Sequence, residues 1–406
     1  MTAGHAPGEH GHTTRASTRR LALVVVALAI IAPFTIDTYL PSLPDIGSEF
    51  DVSDFYLQQT LSLYLIAFAA MTLVYGPLSD TFGRRRVVLI SVILYIVTSI
   101  GCALAASARE LLLLRVAQGV AASGGIVIGR AIVRDRFSGA TAQRVMSRIM
   151  LVFPIAPAFA PIIGGWLHDL AGWRSVFWFL ALLGVAVWLG VAWQLPETLP
   201  PAERHPGHPR AIAAAYARAL GHPRFMLMVF AIAFSFAGMF VYVAGSPALL
   251  YGALGLGAND FGLLFVPLVL GLMTGAYISG RIAGRRSHEQ GVAMGFRIML
   301  AAAAIGLALN VSVTPTLIST VAPLALYACG LALALPNLTL LSLDLFPRNR
   351  GLASAVQSFI HTGGSALAAG LVVPLLDGDV VRFATGALLL CLSGVACWYA
   401  SQRLSP

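Results

Sequence analysis

The chain contains no lysine and carries little charge of either sign: 17 acidic and 26 basic residues, 11% of its 406 positions. A typical soluble domain is about one quarter charged, so this composition cannot clothe a water-facing surface of that size. Cysteine is also scarce. Cys102, Cys329, Cys391 and Cys397 are scattered through apolar segments, which excludes a disulfide framework and metal-ligand spacing and leaves them as small packing residues. No His-Glu-x-x-His, Gly-x-Ser-x-Gly or phosphate-binding P-loop occurs, so the common hydrolytic and ATP-driven chemistries find no motif. No cofactor and no metal are called for.

What the chain has in quantity is apolar surface, with 58% hydrophobic residues and a mean hydropathy of +0.83. Apolar runs of about 20 residues recur, the length that crosses a bilayer core. Twelve spans are predicted, at 21–43, 57–76, 87–107, 110–133, 143–167, 173–194, 225–247, 260–281, 291–311, 317–343, 351–376 and 379–400. The polar first fourteen residues, with His5, His10 and His12, read as a disordered tail rather than a metal site. Arg15, Arg19 and Arg20 precede an apolar run too long for a signal-peptide core, which predicts an uncleaved first helix.

The arginines set an orientation. With the N-terminus inside, the internal segments hold Arg84, Arg85, Arg86, Arg134, Arg136, Arg144, Arg148, Arg204, Arg210, Arg218, Arg224, Arg281, Arg285, Arg286, Arg348, Arg350 and Arg403 besides the three at the start. The external ones hold only Arg109, Arg174 and Arg382, and the first external loop is acidic, with Asp45, Glu49, Asp51 and Asp54. This asymmetry predicts both termini in the cytoplasm, and it accounts for the net charge of +9 without nucleic acid.

The chain divides into a cytoplasmic tail (1–20), a first six-helix bundle (21–195), a Pro-, Arg- and His-rich central loop (196–224), a second bundle (225–401) and a short tail (402–406). "GRRR" at Gly83–Arg86 is echoed by "GRR" at Gly284–Arg286, as in a duplicated transporter.

Several stretches carry more than hydropathy. "GPLSDTFGRRR", Gly76 to Arg86, sits in the turn between spans two and three. Gly76 and Gly83 suit a tight turn, and Asp80 can cap a helix or face the positive N-terminal end of another. The plain alternative is a basic loop with a capping aspartate. Pro154, Pro157 and Pro161 are expected to bend span five. Gly124, Gly125, Gly164 and Gly165 offer small surfaces for close helix approach.

The first of these stretches resembles the Gly-x-x-x-Asp-x-x-Gly-Arg-Arg signature of the major facilitator superfamily, with Thr81 where a basic residue is common. In the second copy, Arg281 stands where Asp80 stands in the first. "LLLLRVAQGVAASGG" (Leu111–Gly125) resembles the Arg-x-x-Gln-Gly element of proton-coupled drug antiporters, and "FPIAPAFAPIIGGW" (Phe153–Trp166) resembles the span-five antiporter element. "IDTYLPSLP", "RDRF" and "GWRSVFWFLALL" are similar to the Bcr/CflA drug-resistance efflux group. The resemblance implies an all-α integral membrane fold, with twelve transmembrane helices in two six-helix bundles around a central cavity. It implies Gly76, Asp80, Gly83, Arg84, Arg85, Pro157, Pro161, Gly164 and Gly165 as gating and conformational residues. Asp80 is expected to face the start of span eleven near Gly351, as an acidic residue opposite a helix N-terminus.

Two charges stand inside apolar spans. Leu21–Thr35 carries no charge, and Asp37 follows before the first span ends at Leu43. At ~1.5 Å per residue Asp37 lies about 9 Å and Arg115 of span four about 7–8 Å from the external face. Equal depth on two helices suggests a shared aqueous cavity and electrostatic coupling, direct or through water. Asp37 is the proton-coupling candidate and Arg115 its tuning partner, with burial and the guanidinium acting on its proton affinity in opposite senses. The alternatives are that Asp37 ends the span early with "YLPSLP" as an external loop, and that Arg115 snorkels to the headgroups.

The candidate substrate cavity comprises Tyr39, Tyr64, Gln118, Phe236, Phe240, Tyr242, Asn337, Phe359 and His361, a mostly apolar and aromatic lining with few fixed charges. His361 is also a second proton-carrier candidate. The leading functional reading is a proton-coupled multidrug efflux transporter of the bacterial inner membrane, a monomer in lipid. Its partners are a small-molecule drug and protons, with no nucleic acid. An efflux carrier for a native metabolite is the alternative. A membrane enzyme or receptor comes third.

Overall fold

The computed structural model describes residues 15–137, 139–204, 209–347 and 349–404. Arg348, the histidines of the first fourteen residues and Pro206 fall outside them, and the side chains of Arg144, Arg148 and Pro154 are likewise not described. The described residues hold eleven helices long and apolar enough to cross a membrane, and Gly139–Ala171 is a twelfth long helix. With no water in a bilayer core, backbone groups must pair within the segment, which long apolar helices achieve.

The long helices are α1 (Arg15–Asp37), α2 (Asp54–Phe82), α3 (Arg84–Leu104), α4 (Ala108–Arg136), α5 (Gly139–Ala171) and α6 (Trp173–Gln194). They continue as α7 (Pro223–Ala244), α8 (Phe261–Ile282), α9 (His288–Ser312), α10 (Leu317–Asp344), α11 (Arg350–Leu367) and α12 (Val380–Arg403). Their starts are chemically marked. Ser53, Ser107, Ser287, Thr316 and Asp379 each accept a hydrogen bond from a backbone N–H of the first turn, which satisfies donors a helix leaves orphaned. Between α2 and α3 a single residue, Gly83, makes the turn at φ +92°, a conformation that a side chain would strain.

Helix α1 stops six residues short of the predicted end. Pro41 explains it: a proline has no N–H to give the Asp37 carbonyl, and its ring collides with that group in a continuing helix. The chain goes on as a 3-10 turn, Leu40–Ser42, and a short helix, Leu43–Phe50. This stretch is not an external loop, because Tyr39, Leu40, Ser42, Leu43 and Ile46 are all buried. Helix α5 remains helical through Pro157 and Pro161.

The helix contacts repeat with an offset of six. In the first half α2 packs on α4, α3 on α4 and α6, and α1 on α5; in the second, α8 packs on α10, α9 on α10 and α12, and α7 on α11. Between the halves α2 meets α11 and α5 meets α8, which are again equivalent pairs. The central segment is not all loop. Pro209–Leu220 forms a helix, Ala219 joins a small core with Phe225, Val229, Ala353 and Val356, and the Tyr216 hydroxyl donates to the Leu73 carbonyl at 3.0 Å.

One end of the interface between halves is sealed. Gln58 Nε2 donates to the Ala244 carbonyl (3.2 Å), Gln59 Nε2 to Gly370 (2.9 Å), Ser62 Oγ to Ala366 (2.8 Å), Tyr251 Oη to Pro41 (2.9 Å) and Asn259 Nδ2 to Asp169 Oδ2 (2.6 Å). The Ala366 acceptor lies in the last turn of α11 and Gly370 within the π-helical turn that follows, Ala368–Val372; such turns often mark functional places in helices. At the opposite end, where Asp80 lies, a cavity of about 510 Å³ separates α2 and α4 from α10 and α11.

Candidate functional site

Arg115 is completely buried, and no membrane-surface snorkelling is open to it. Its guanidinium lies between two aromatic faces, 4.6 Å from the Tyr39 ring centre and 4.4 Å from that of Tyr64, a contact in which ring quadrupoles attract a cation. Nη1 donates to Gln118 Oε1 (2.7 Å) and the Thr35 carbonyl (3.3 Å), while Nε and Nη2 have no partner. Gln118 Nε2 passes the chain on to Ser99 Oγ at 2.8 Å, and Thr35 Oγ1 pairs with Tyr95 Oη at 2.7 Å. The Tyr39 hydroxyl pairs with Thr60 Oγ1 at 2.6 Å; the Tyr64 hydroxyl is unpartnered.

Asp37 lies at the α1 terminus beside this cluster, 4% exposed. No ion pair joins it to Arg115 or to any other cation among the described residues. Of the two forms of coupling expected, direct or through water, no direct ion pair is present among the described residues, and Arg115 does not line the cavity between the halves. Equal depth along two helices does not specify azimuth, and the guanidinium is taken up by rings on α2 and the segment after α1. An ionised carboxylate without a donor costs more in such a place than a protonated one. Two donors of Arg115, Nε and Nη2, remain unsatisfied among the described residues, and Asp37 is buried without an ion pair there. Thr35, Thr60, Tyr95 and Ser99 were not anticipated; single hydroxyls in apolar spans give no pattern that separates them from packing residues.

The candidate cavity residues part company. Tyr39, Tyr64 and Gln118 belong to the buried cluster just described. Phe240 and Tyr242 are buried at 6% and 7%, with Tyr242 packed on Phe383. Asn337 Oδ1 meets His288 Nδ1 at 2.8 Å, and Phe359 is exposed on the surface. The His361 ring stands edge-on to Phe236, with centres 4.3 Å apart, and its Nε2 is buried without a partner. None of these nine lines the cavity between the halves. Its wall carries Asp80, Arg84, Arg130, Arg134 and Arg350 among apolar and hydroxyl groups, so the expectation of few fixed charges is corrected. The sealed end withdraws the upper aromatics, and the open end exposes the charged helix ends.

The Gly76–Arg86 turn is organised by Arg84, which is only 5% exposed. It reaches Asp80 at 2.5 Å, Asp135 at 3.0 Å and Ser79 Oγ at 2.6 Å, while its backbone N–H donates to Glu197 Oε1 at 2.9 Å. Three arginines at the start of α3 oppose the helix dipole, and these carboxylates offset that. Thr81, where a basic residue is common, turns back to the Pro77 carbonyl at 3.0 Å, and Arg84 itself supplies the cation for Asp80. Arg85 Nη2 donates to the Ala192 carbonyl at 2.8 Å, tying α3 to α6. Asp135 and Glu197 were not anticipated; each is an isolated acid in a basic end of the chain, far from Arg84 in sequence.

This arrangement makes unequal predictions for two neighbours. The Arg84→Ala variant is expected to lose about 3–5 kcal/mol, as when one partner of a buried ion pair is removed, because it strands Asp135. Asp80 is 51% exposed on its side chain, so Asp80→Ala should cost under about 1 kcal/mol while impairing transport. Thermal unfolding in detergent beside a transport assay checks this; equal destabilisation by both would refute Arg84 as the hub.

Gly76 lines the cavity and faces open space. Gly164 and Gly165 have opposite roles in packing. Gly164 lies against the Thr38 carbonyl, next to Asp37, and Gly165 against the Ala258 carbonyl of the other half. Any Cβ there would drive into backbone.

Comparison with known proteins agrees with this fold. The sequence profile of the Major Facilitator Superfamily matches residues 25–369. The chain is 32% identical over 363 residues to the uncharacterised MFS-type transporter YdgK of Bacillus subtilis (strain 168), covering 89% of this chain and 87% of that one. It is 30% identical over 267 residues to the bicyclomycin resistance protein homolog of Haemophilus influenzae, covering 66% and 67%. The xylose transporter XylE from E. coli, in a partially occluded inward open conformation, superposes with a TM-score of 0.74 at 14% identity over 96% of this chain and 98% of that one, a likeness of fold. These relatives are transporters, not enzymes, and this multi-pass chain belongs to the major facilitator superfamily of membrane transporters.

Proposed function

We propose that the chain exports small amphipathic drugs across the bacterial inner membrane in exchange for protons, by alternating access. The observation that carries the reading is the buried, unpaired Asp37 beside an arginine clamped between Tyr39 and Tyr64. A residue of this kind inside a membrane marks an ion path more often than a structural need. The arginine-rich ends support a cytoplasmic location for the Asp80 side and both termini. The cavity then opens inward, and the Gln58–Ser62 contacts close the outer side.

In the cycle, Asp37 takes a proton when the outer side is open and gives it up toward the cytoplasm. Neutralising the carboxyl lowers the cost of moving it through a dry barrier. Drug enters the inward cavity as the proton leaves. Asp80, Arg84 and the start of α11 meet when the inner side closes, and Gly165 and the π-turn after α11 permit the outer contacts to part. The likeness to a bicyclomycin resistance protein homolog supports a drug as cargo.

A resistance panel tests this. Expressed in an efflux-deficient bacterium, the chain should raise the inhibitory concentration of several unrelated amphipathic antibiotics, bicyclomycin included, several-fold over an empty vector. Resistance to none, with tight binding of one polar metabolite, would replace the reading with a metabolite exporter.

A further inference from the structure

The wall of the open cavity is more basic than a carrier of neutral or cationic drugs requires. Of its five charged residues, Asp80 and Arg84 pair with each other, Arg84 also pairs with Asp135, and Arg350 pairs with Asp344 at 2.6 Å. Arg130 and Arg134 have no carboxylate partner among the described residues. They stand four apart on α4, so one helix face presents two like charges that repel. Arg130 lies deeper, and its Nε is buried without a hydrogen-bond partner. An unsatisfied guanidinium in a low-dielectric wall is costly unless something pairs with it.

The surroundings point to what that something is. Ser354 and Ser358 of α11 line the opposite wall with hydroxyl donors. The α11 start, with its free backbone N–H groups, lies at the same cavity, and Arg134 Nη1 is within 3.0 Å of where a Cβ on Gly351 would sit. A positive helix end beside a positive side chain is unfavourable in isolation and favourable around an anion. Val127, Leu343 and Leu352 supply apolar wall. A volume of about 510 Å³ accepts a drug-sized molecule.

We propose that Arg130 and Arg134 form an anion-binding site in this cavity, and that the preferred cargo is an amphipathic acid whose carboxylate docks there while its apolar body lies against α10 and α11. The inference rests on the reading of the chain as a carrier loaded through this cavity, and it names the substrate class. The guanidinium pairs of α4 supply planar, two-pronged recognition that lysine would not match.

The test uses purified full-length protein and two probes of the same shape, naphthalene-2-carboxylate and its uncharged amide. Binding is measured by calorimetry at fixed pH with no gradient. Wild type should bind the acid at least roughly tenfold more tightly than the amide, the scale of one charge-assisted hydrogen bond. Arg130→Gln should remove most of that ratio and leave amide affinity unchanged, and Arg130→Lys should keep part of it. Unfolding temperatures of the variants verify that they fold. Equal affinity for acid and amide, or a preference that Arg130→Gln leaves intact, overturns the proposal; the two arginines would then serve only to meet Asp80 when the gate closes. Asp37→Asn protein should retain the acid preference. In wild type, absence of pH-driven export with that preference intact would refute proton coupling alone, and pH-driven export without the preference would refute the anion site alone.

Discussion

Asp37→Asn protein, reconstituted in liposomes, is expected to show no uphill accumulation driven by a pH difference, while exchange of labelled for unlabelled drug continues. The amide keeps the size and polarity of the carboxyl but can neither bind nor release a proton in the cycle. Each pH unit of gradient is worth about 1.4 kcal/mol per proton, and each 100 mV of potential about 2.3 kcal/mol per charge. A carrier that moves no proton draws on neither, so the steady-state accumulation ratio falls from tens-fold or more to unity. The fold should survive, because no hydrogen bond or ion pair to the Asp37 side chain exists among the described residues for the substitution to break. Retained uphill transport would move the proton to another residue, and His361, buried and unpartnered at Nε2, is the next to substitute.

Gly164→Val should be the most disruptive change in the packing. Its Cβ would stand 2.1 Å from the Thr38 carbonyl oxygen, and backbone cannot swing away as a side chain can. Overpacking of a tight core costs about 1–3 kcal/mol, and more when backbone must shift. Here the shift would displace the end of α1, and with it Asp37. Lower unfolding temperature and lost transport should appear together. Gly280→Ala is the control. Nothing lies within 4 Å of its added methyl, and Ala in place of a helical Gly is favourable by roughly 0.5–1 kcal/mol. Similar unfolding temperatures for both variants would contradict the packing at Thr38.

The twelve helices were legible because a bilayer demands long uninterrupted apolar runs, and little else in a sequence produces them. The break after Asp37 is legible in principle from Pro41, but hydropathy continues through Leu40, Leu43 and Ile46 and so predicts a span that reaches Leu43. The same apolar residues are why that stretch is buried rather than looped out. Asp37 and Arg115 stood out as charges in apolar helices. Their partners did not, because depth along a helix says nothing about which way a side chain faces. Tyr39 and Tyr64 were singled out as cavity aromatics, and their contact with Arg115 needed the packing of α1, α2 and α4 together. The Arg84 hub was half legible. Its own motif names Asp80, whereas Asp135 and Glu197 arrive from α4 and the end of α6, 51 and 113 residues away. The charged cavity wall is not legible, because Arg134 reads as a marker of orientation and Arg130, a single charge within span four, has no pattern around it that points to a cavity.

The proposed cycle is driven by a proton gradient, and one flux measurement bears on that most directly. Wild-type proteoliposomes, with membrane potential clamped at zero, receive a drug identified by the resistance panel, either with an imposed pH difference or without one. Accumulation above the external concentration only when the compartment being filled is the more acidic, accompanied by alkalinisation of that compartment, is the predicted result. Equal accumulation in both arms, or equilibration that never exceeds the external concentration, would contradict proton-driven antiport.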